Sequence, residues 1–238
     1  MLPFFYQENL PAKEGAYTLD EATSKHCVQV LRMKEGAPLL LTNGKGLRIE
    51  AVITVAERKH CMVHCTKVEQ LPARPVAFAL GIAFTKNNSR NEWLLEKAME
   101  MGIEQIYPII TDRTEKDKLK MERLQGILIS AMLQSQQCYL PQLHDSIKLK
   151  ALLQQSTTTA QRFIAHCIDT EERKSYITHL KAGKDTLMLI GPEGDFTPAE
   201  ISLCLEAGLE PVSLGQNRLR TETAGLYACT IFNAVNYG

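Results

Sequence analysis

The residues with the greatest chemical potential in this chain fall between Gly191 and Ala224. Gly191-Pro192-Glu193-Gly194 sets two glycines around a rigid proline, so backbone can approach a ligand closely while Glu193 carries a carboxylate at the loop tip. Further on, Arg218, Arg220 and Glu222 stand among the small residues Thr221, Thr223 and Ala224. An arginine can hold an oxyanion as charge develops, and a carboxylate two positions away can accept a proton. Two such loops offer backbone N–H and C=O groups to an adenine edge and charged side chains to a polar substrate.

The elements that must carry these loops are well signalled. Thr186 to Ile190 and Pro211 to Leu214 are short apolar runs of strand length, broken by Gly191 and Gly215. After the first, Thr197 fits an N-cap, Pro198 the first helical position and Glu200 the N3 partner of a capping box, with Gly208 as the stop. After the second, a helix over Ala224 to Asn236 carries Leu226, Tyr227, Ile231, Phe232 and Val235, an apolar surplus suited to a subunit interface or to the core. Both loops therefore leave the same edge of a sheet, where open α/β sheets hold ligands. By spacing alone they read equally as two ordinary βα turns.

Charge and composition bound the function classes. Lys plus Arg equals Asp plus Glu at 27 each in 238 residues, so any contact with nucleic acid must use local basic clusters. The 45% apolar content supports one large or two modest domains. No apolar run approaches the roughly 20 residues needed to span a bilayer, and the first residues lack the basic start of a signal peptide. Seven scattered cysteines, an odd number, suit a reducing compartment, so a cytoplasmic protein away from membranes is expected. His60, Cys61, His64 and Cys65 suggest a metal site, but on a strand the two histidines share one face roughly 13 Å apart, too far for one tetrahedral ion. No metal is expected.

Residues 1–72 read as a small β-rich domain. A short helix begins within Leu19 to Arg32 with Asp20 as N-cap, and Pro38 to Thr42 and Leu47 to Val55 flank the hairpin turn Asn43-Gly44-Lys45-Gly46. His60 to Val68 supplies another strand. Those glycines make a turn and not a phosphate cradle, since the spacing of a phosphate loop is missing and a strand follows. Pro72 to Pro75 marks the boundary to a second domain, 73–238.

There the texture becomes α/β. Val76 to Phe84 is a nearly continuous apolar run, as for a strand covered on both faces. A loop with Lys86 and Arg90 leads to a helix from about Asn91 that Gly102 closes, then a strand over Ile103 to Ile110. Arg113, Lys116, Lys118, Lys120 and Arg123 precede a helix striped by Leu124, Ile127, Leu128 and Ala131; the charges read as a solvated face or as a backbone-binding patch. A helix over Ile147 to Gln154 and a strand over Arg162 to Ile168, with His166 near its end, complete about five strands alternating with helices and a mostly parallel sheet.

Leu189-Ile-Gly-Pro-Glu-Gly194 with Phe196 and Glu200, then Leu214-Gly215 and Leu219-Arg-Thr-Glu-Thr-Ala224, resemble the two cofactor-loop motifs of the RsmE family, and the likeness extends over nearly the whole chain. The resemblance implies a methyltransferase of the SPOUT class that uses S-adenosyl-L-methionine to methylate N3 of one uridine in 16S ribosomal RNA. It implies a C-terminal α/β domain threaded into a trefoil knot, an N-terminal PUA-like β-barrel domain, and a homodimer acting on RNA of the small ribosomal subunit, not DNA. It assigns the cofactor to His166, Ile190, Gly191, Pro192, Glu193, Gly194, Leu214, Gly215, Leu219, Thr221 and Ala224. Catalysis falls to Arg220, Glu222 and Arg113, and RNA contact to Arg32, Lys34, Lys86 and Arg90. The chain departs from the pattern at Gln134-Ser-Gln-Gln137, where the family commonly carries an arginine at the last position. The rivals are an RNA-binding protein of this fold without activity, a SPOUT enzyme with another RNA target, and a nucleotide hydrolase, the last disfavoured by the missing phosphate loop.

Overall fold

The computed structural model describes residues 2–115, 118–156, 158–168 and 173–238, so Lys116 of the basic run lies outside the described residues. The chain divides into two compact units, residues 1–73 with 132–140, and residues 74–131 with 141–238.

The first unit is a five-stranded sheet built from β1 (Phe4–Tyr6), β2 (Gly15–Thr18), β3 (Pro38–Thr42), β4 (Leu47–Val55) and β5 (Met62–Gln70) in the order β1-β3-β4-β5-β2. β3 and β4 form the antiparallel hairpin expected around Asn43 to Gly46, with Gly44 and Gly46 at φ 72° and 86°. Alternation along β4 turns Leu47, Ile49, Ala51 and Ile53 into one core with Leu39, Leu41, Val63 and Cys65. Gln7, just past the edge strand β1, accepts from the Asp20 backbone at 3.1 Å and from the Tyr17 hydroxyl at 3.4 Å, which ties it to the other edge strand.

One expectation for this unit holds and one is corrected. The helix within Leu19 to Arg32 is α1 (Glu21–Lys25), capped by the Asp20 side chain, and a single π turn over His26–Val30 follows it before Arg32 adopts φ 53°. The strand expected from His60 starts at Met62, because Cys61 is drawn into the core beside Cys65 while His60 and His64 face solvent. Burial pushes the thiols of Cys61 and Cys65 up.

The second unit is a parallel sheet. Its elements are β6 (Phe78–Ile82), α2 (Asn88–Glu100), β7 (Gln105–Ile110), α3 (Met121–Gln134, whose last residues belong to the first unit), β8 (Gln142–Leu143), β9 (Ile147–Lys148), α4 (Leu149–Gln155), β10 (Gln161–Ala165), β11 (Lys174–Ser175), α5 (Tyr176–His179), β12 (Thr186–Ile190), α6 (Pro198–Glu206), β13 (Glu210–Ser213) and α7 (Thr221–Tyr237). The order is β11-β13-β10-β12-β6-β7-β8, with β9 also on β7. β7 extends the sheet on one side of β6, and β12, β10 and β13 on the other, so the chain reverses direction across the sheet at β6. All five residues of β12 are buried, as a strand covered on both faces requires.

Helix ends follow local chemistry. The Thr197–Glu200 capping box forms, and Gly208 at φ 82° ends α6. α2 begins at Asn88 and not Asn91, because Asn87 caps it by accepting from Ser89 and Arg90 while Asn91 turns inward to hold both backbone groups of Thr85. α7 begins at Thr221 rather than Ala224, and its Gly225 lets the helix settle onto β6: a Cβ there would stand 2.9 Å from Ile82 Cδ1. The expected helix from Ile147 is a two-residue strand followed by α4, and the strand expected to reach Ile168 stops at Ala165. No helix among the described residues is long and apolar enough to cross a membrane.

Candidate active site

The strands β10, β12 and β13 run parallel in register, with Ala165 beside Ile190 and beside Val212. Their ends therefore open onto one rim. A cleft of about 440 Å³ lies there, and among the expected site residues it collects His166, Ile190, Gly191, Pro192, Glu193, Leu214, Gly215, Leu219, Arg220, Thr221, Ala224 and Arg90. Residues 191–195 form one wall. Gly191 is needed because a Cβ there would stand 3.0 Å from the Phe196 ring and 3.1 Å from the Phe196 nitrogen. Asp195 takes φ 64°, accepts from the Phe196 amide at 2.8 Å with one oxygen and from the Cys167 amide at 2.7 Å with the other, so it links this loop to the end of β10.

The second wall is residues 213–221. The Ser213 hydroxyl donates to the Gly215 carbonyl at 2.8 Å and accepts from its amide at 3.2 Å, and Gly215 sits at φ 132°. Thr221, buried in the first turn of α7, donates to the Gly191 carbonyl at 3.3 Å and so joins the two walls.

His166 follows β10 and is buried, with Nδ1 lacking a hydrogen-bond partner among the described residues. Burial lowers its pKa below the usual histidine range, Asp195 opposes this and Arg173 adds to it, so the imidazole enters the cleft neutral at pH 7.

The three expected catalytic residues occupy different places. Arg220 is exposed on the cleft wall, and its carbonyl accepts from Ala224 as the N-cap of α7. Glu222 is buried on that helix's first turn and does not line the cleft, one oxygen 3.6 Å from Arg90 Nε and the other without a partner among the described residues. Arg113 donates to the Gly194 carbonyl at 2.6 Å, so both residues act on the outside of the first loop and neither lines the cleft. Glu200 fastens this arrangement: it accepts from the Asp112 amide at 2.8 Å and from the Thr197 amide at 2.8 Å.

Arg90, expected in a loop, is helical and also donates to Glu193 at 2.9 Å. Lys86 is exposed and pairs with Glu115 at 2.9 Å, and Arg32 and Lys34 are exposed in the first unit. Reasoning from sequence missed Asp195 and Arg173 as cleft residues; Asp195 was adjacent to the glycine motif, whereas Arg173 carried no signal.

A family model described as an RNA methyltransferase domain matches residues 72–233, and one described as an RNA methyltransferase PUA domain matches residues 19–63. The chain belongs to this RNA methyltransferase family. Its resemblance to the RsmE family is matched by the relatives. Ribosomal RNA small subunit methyltransferase E of Mesomycoplasma hyopneumoniae is 26% identical over 235 residues, covering 97% of this chain and 98% of that one. The solved structure of a probable rRNA-methyltransferase from Porphyromonas gingivalis is 38% identical with a TM-score of 0.90, covering 99% of this chain and 98% of the other. A ribosomal RNA small subunit methyltransferase E from Neisseria gonorrhoeae, solved bound to S-adenosyl methionine, is 25% identical with a TM-score of 0.87 over 99% of this chain and 98% of that one.

Proposed function

We propose that this RNA methyltransferase transfers the methyl group of S-adenosyl-L-methionine to N3 of one uridine of 16S ribosomal RNA in the small subunit. The observation that carries this reading is the cleft itself, where two glycine-bearing loops from the parallel strands flanking β10 meet beside the exposed Arg220. The residues fit such a cofactor: Gly191, Leu214 and Gly215 line the walls, and the buried His166, whose Nδ1 has no hydrogen-bond partner among the described residues, lines the cleft beside them. The cofactor, when bound, supplies an electrophilic methyl group on a sulfonium.

The protein's own residues have two tasks. Transfer to N3 removes a proton and spreads charge onto O2 and O4 of the base. Arg220 holds that anion, and Glu222, directly or through a water, takes the proton. Arg113 contributes by fixing the first loop through Gly194. Because N3 lies on the Watson–Crick edge, the uridine is unpaired or extruded as it reacts.

The same reading assigns residues 1–72 to RNA binding, with Arg32 and Lys34 as phosphate contacts, and residues 73–238 to catalysis, with Lys86 as a further phosphate contact there. It further takes the sheet to be knotted, the enzyme to be a homodimer and its place to be the cytoplasm.

Replacing Arg220 by alanine abolishes transfer to small-subunit particles while calorimetric binding of S-adenosylmethionine persists. An undiminished rate rejects the role of Arg220. Mass mapping of 16S RNA from cells lacking the gene shows one uridine unmethylated; an unchanged map rejects the target, and failure of the protein to bind S-adenosylmethionine rejects the function.

A further inference from the structure

Arg90 belongs to neither cleft loop, yet it touches the acidic residue of the first loop and the one on the helical turn that follows the second. It sits on the first turn of α2, and its guanidinium donates from Nη1 to Glu193 Oε1 at 2.9 Å while Nε stands 3.6 Å from Glu222 Oε1. Glu193 projects from the turn after β12 and Glu222 from the start of α7, one residue past the second wall, so a single planar cation links the first wall to the helix that follows the second. The two pairs differ in setting. Glu193's side chain is 53% exposed, and an ion pair of that kind stabilises little. Glu222's side chain is 9% exposed, with its second oxygen buried and unpartnered among the described residues. A buried carboxylate half-satisfied in this way is an acceptor held ready for one more donor.

We propose that Arg90 is a positioning residue for methyl transfer: through Glu222 it ties the start of α7, and with it Arg220 and Thr221 on the second wall, to the first cleft loop. This rests on the methyltransferase reading above and deepens it. A guanidinium suits the task because its rigid fork reaches two carboxylates at once, whereas a lysine ammonium is a single point on a flexible stem. The position is also distinct from an RNA phosphate contact, since the cation is already committed to two carboxylates of its own chain.

The test uses the full-length protein with small-subunit particles and S-adenosylmethionine. Arg90→Lys keeps the charge next to buried Glu222 and keeps the fold, but cannot span both partners. Arg90→Met removes the charge. We expect Arg90→Lys to lower kcat by about tenfold and Arg90→Met by about a hundredfold, the scale of a reacting group misplaced by about 1 Å, with KM for RNA unchanged. Single-turnover rates should fall in parallel, and the melting temperature of Arg90→Lys should match the parent.

An RNA-contacting arginine behaves otherwise: KM for RNA rises, the salt dependence of binding weakens and kcat holds, and that result overturns the proposal. Wild-type kcat and KM in Arg90→Lys, or a melting temperature that falls while the rate per folded molecule is unchanged, overturns it too. An inactive wild-type protein instead rejects the methyltransferase reading, so the two failures are told apart.

Discussion

Glu200 is the side chain on which the geometry of the first cleft loop depends, and its removal gives the sharpest test of the packing argument. It is buried at the N-terminus of α6 and accepts from the Thr197 amide, the Thr197 hydroxyl and the Asp112 amide at 2.8, 3.1 and 2.8 Å. Glu200→Ala leaves two backbone donors without their charged acceptor. Hydrogen bonds to charged groups contribute about 1.5–3 kcal/mol each. Asp112 is exposed, so water replaces part of its bond, and the net loss comes to about 2–4 kcal/mol. For a protein of this size that lowers the melting temperature by roughly 5–15 °C.

The control lies on the same helix. Glu206 is exposed in the last turn, where a negative charge meets the negative end of the helix dipole, so Glu206→Ala changes stability by less than about 0.5 kcal/mol. Thermal denaturation followed by circular dichroism reads both. Calorimetry with S-adenosylmethionine reads the consequence for the cleft: the Asp112–Arg113 turn is released from α6, the Arg113–Gly194 bond of 2.6 Å loosens, and affinity falls in Glu200→Ala alone. A melting temperature lowered by less than about 3 °C, or lowered equally in the two variants, refutes the reasoning.

Two other predictions follow from single positions. Gly191→Ala forces a Cβ to within 3.0 Å of the Phe196 ring and 3.1 Å of its backbone nitrogen, so the loop shifts outward and S-adenosylmethionine affinity drops by about tenfold, while urea denaturation changes by about 1–3 kcal/mol. The carboxyl of Glu104 is pushed up to about 7, chiefly by burial, against the lowering effects of the Phe78 amide and Arg74. Because the folded value lies above the unfolded one, Glu104 stabilises the protein fully below about pH 4.5, and that contribution, at most about 3 kcal/mol, is lost as pH rises through 7. Glu104→Gln therefore flattens the stability profile between pH 5 and 8, and an unchanged slope in urea titrations across that range contradicts the assignment.

Much of this molecule was legible from sequence because the signals are local. The Thr197–Glu200 box, the Asp20 cap, the Asn43–Gly46 hairpin and the glycine stop at 208 are interactions within a few residues, and each forms. The continuous apolar run at Thr186–Ile190 marked a strand covered on both faces, and the paired glycine loops marked the rim on which the cleft lies.

The boundaries that shifted did so where a distant partner competes with the local signal. α7 starts at Thr221 because Thr221 bonds Gly191, 30 residues away, although Arg220 provides no side-chain cap. α2 starts early because Asn91 is recruited inward by Thr85 and leaves the capping to Asn87. Residues 132–140 join the first unit through an antiparallel bridge from Tyr139 to Lys45, which no periodicity announces.

Caps, turns and period thus came from the sequence alone, since they depend on residue type within one or two turns of chain. Which strands become neighbours, and that Arg90 meets Glu193 across 103 residues, came only from the tertiary structure. Apolar strand faces are interchangeable in composition, and only their packing together decides which charged side chains at their ends are brought within a hydrogen bond of each other.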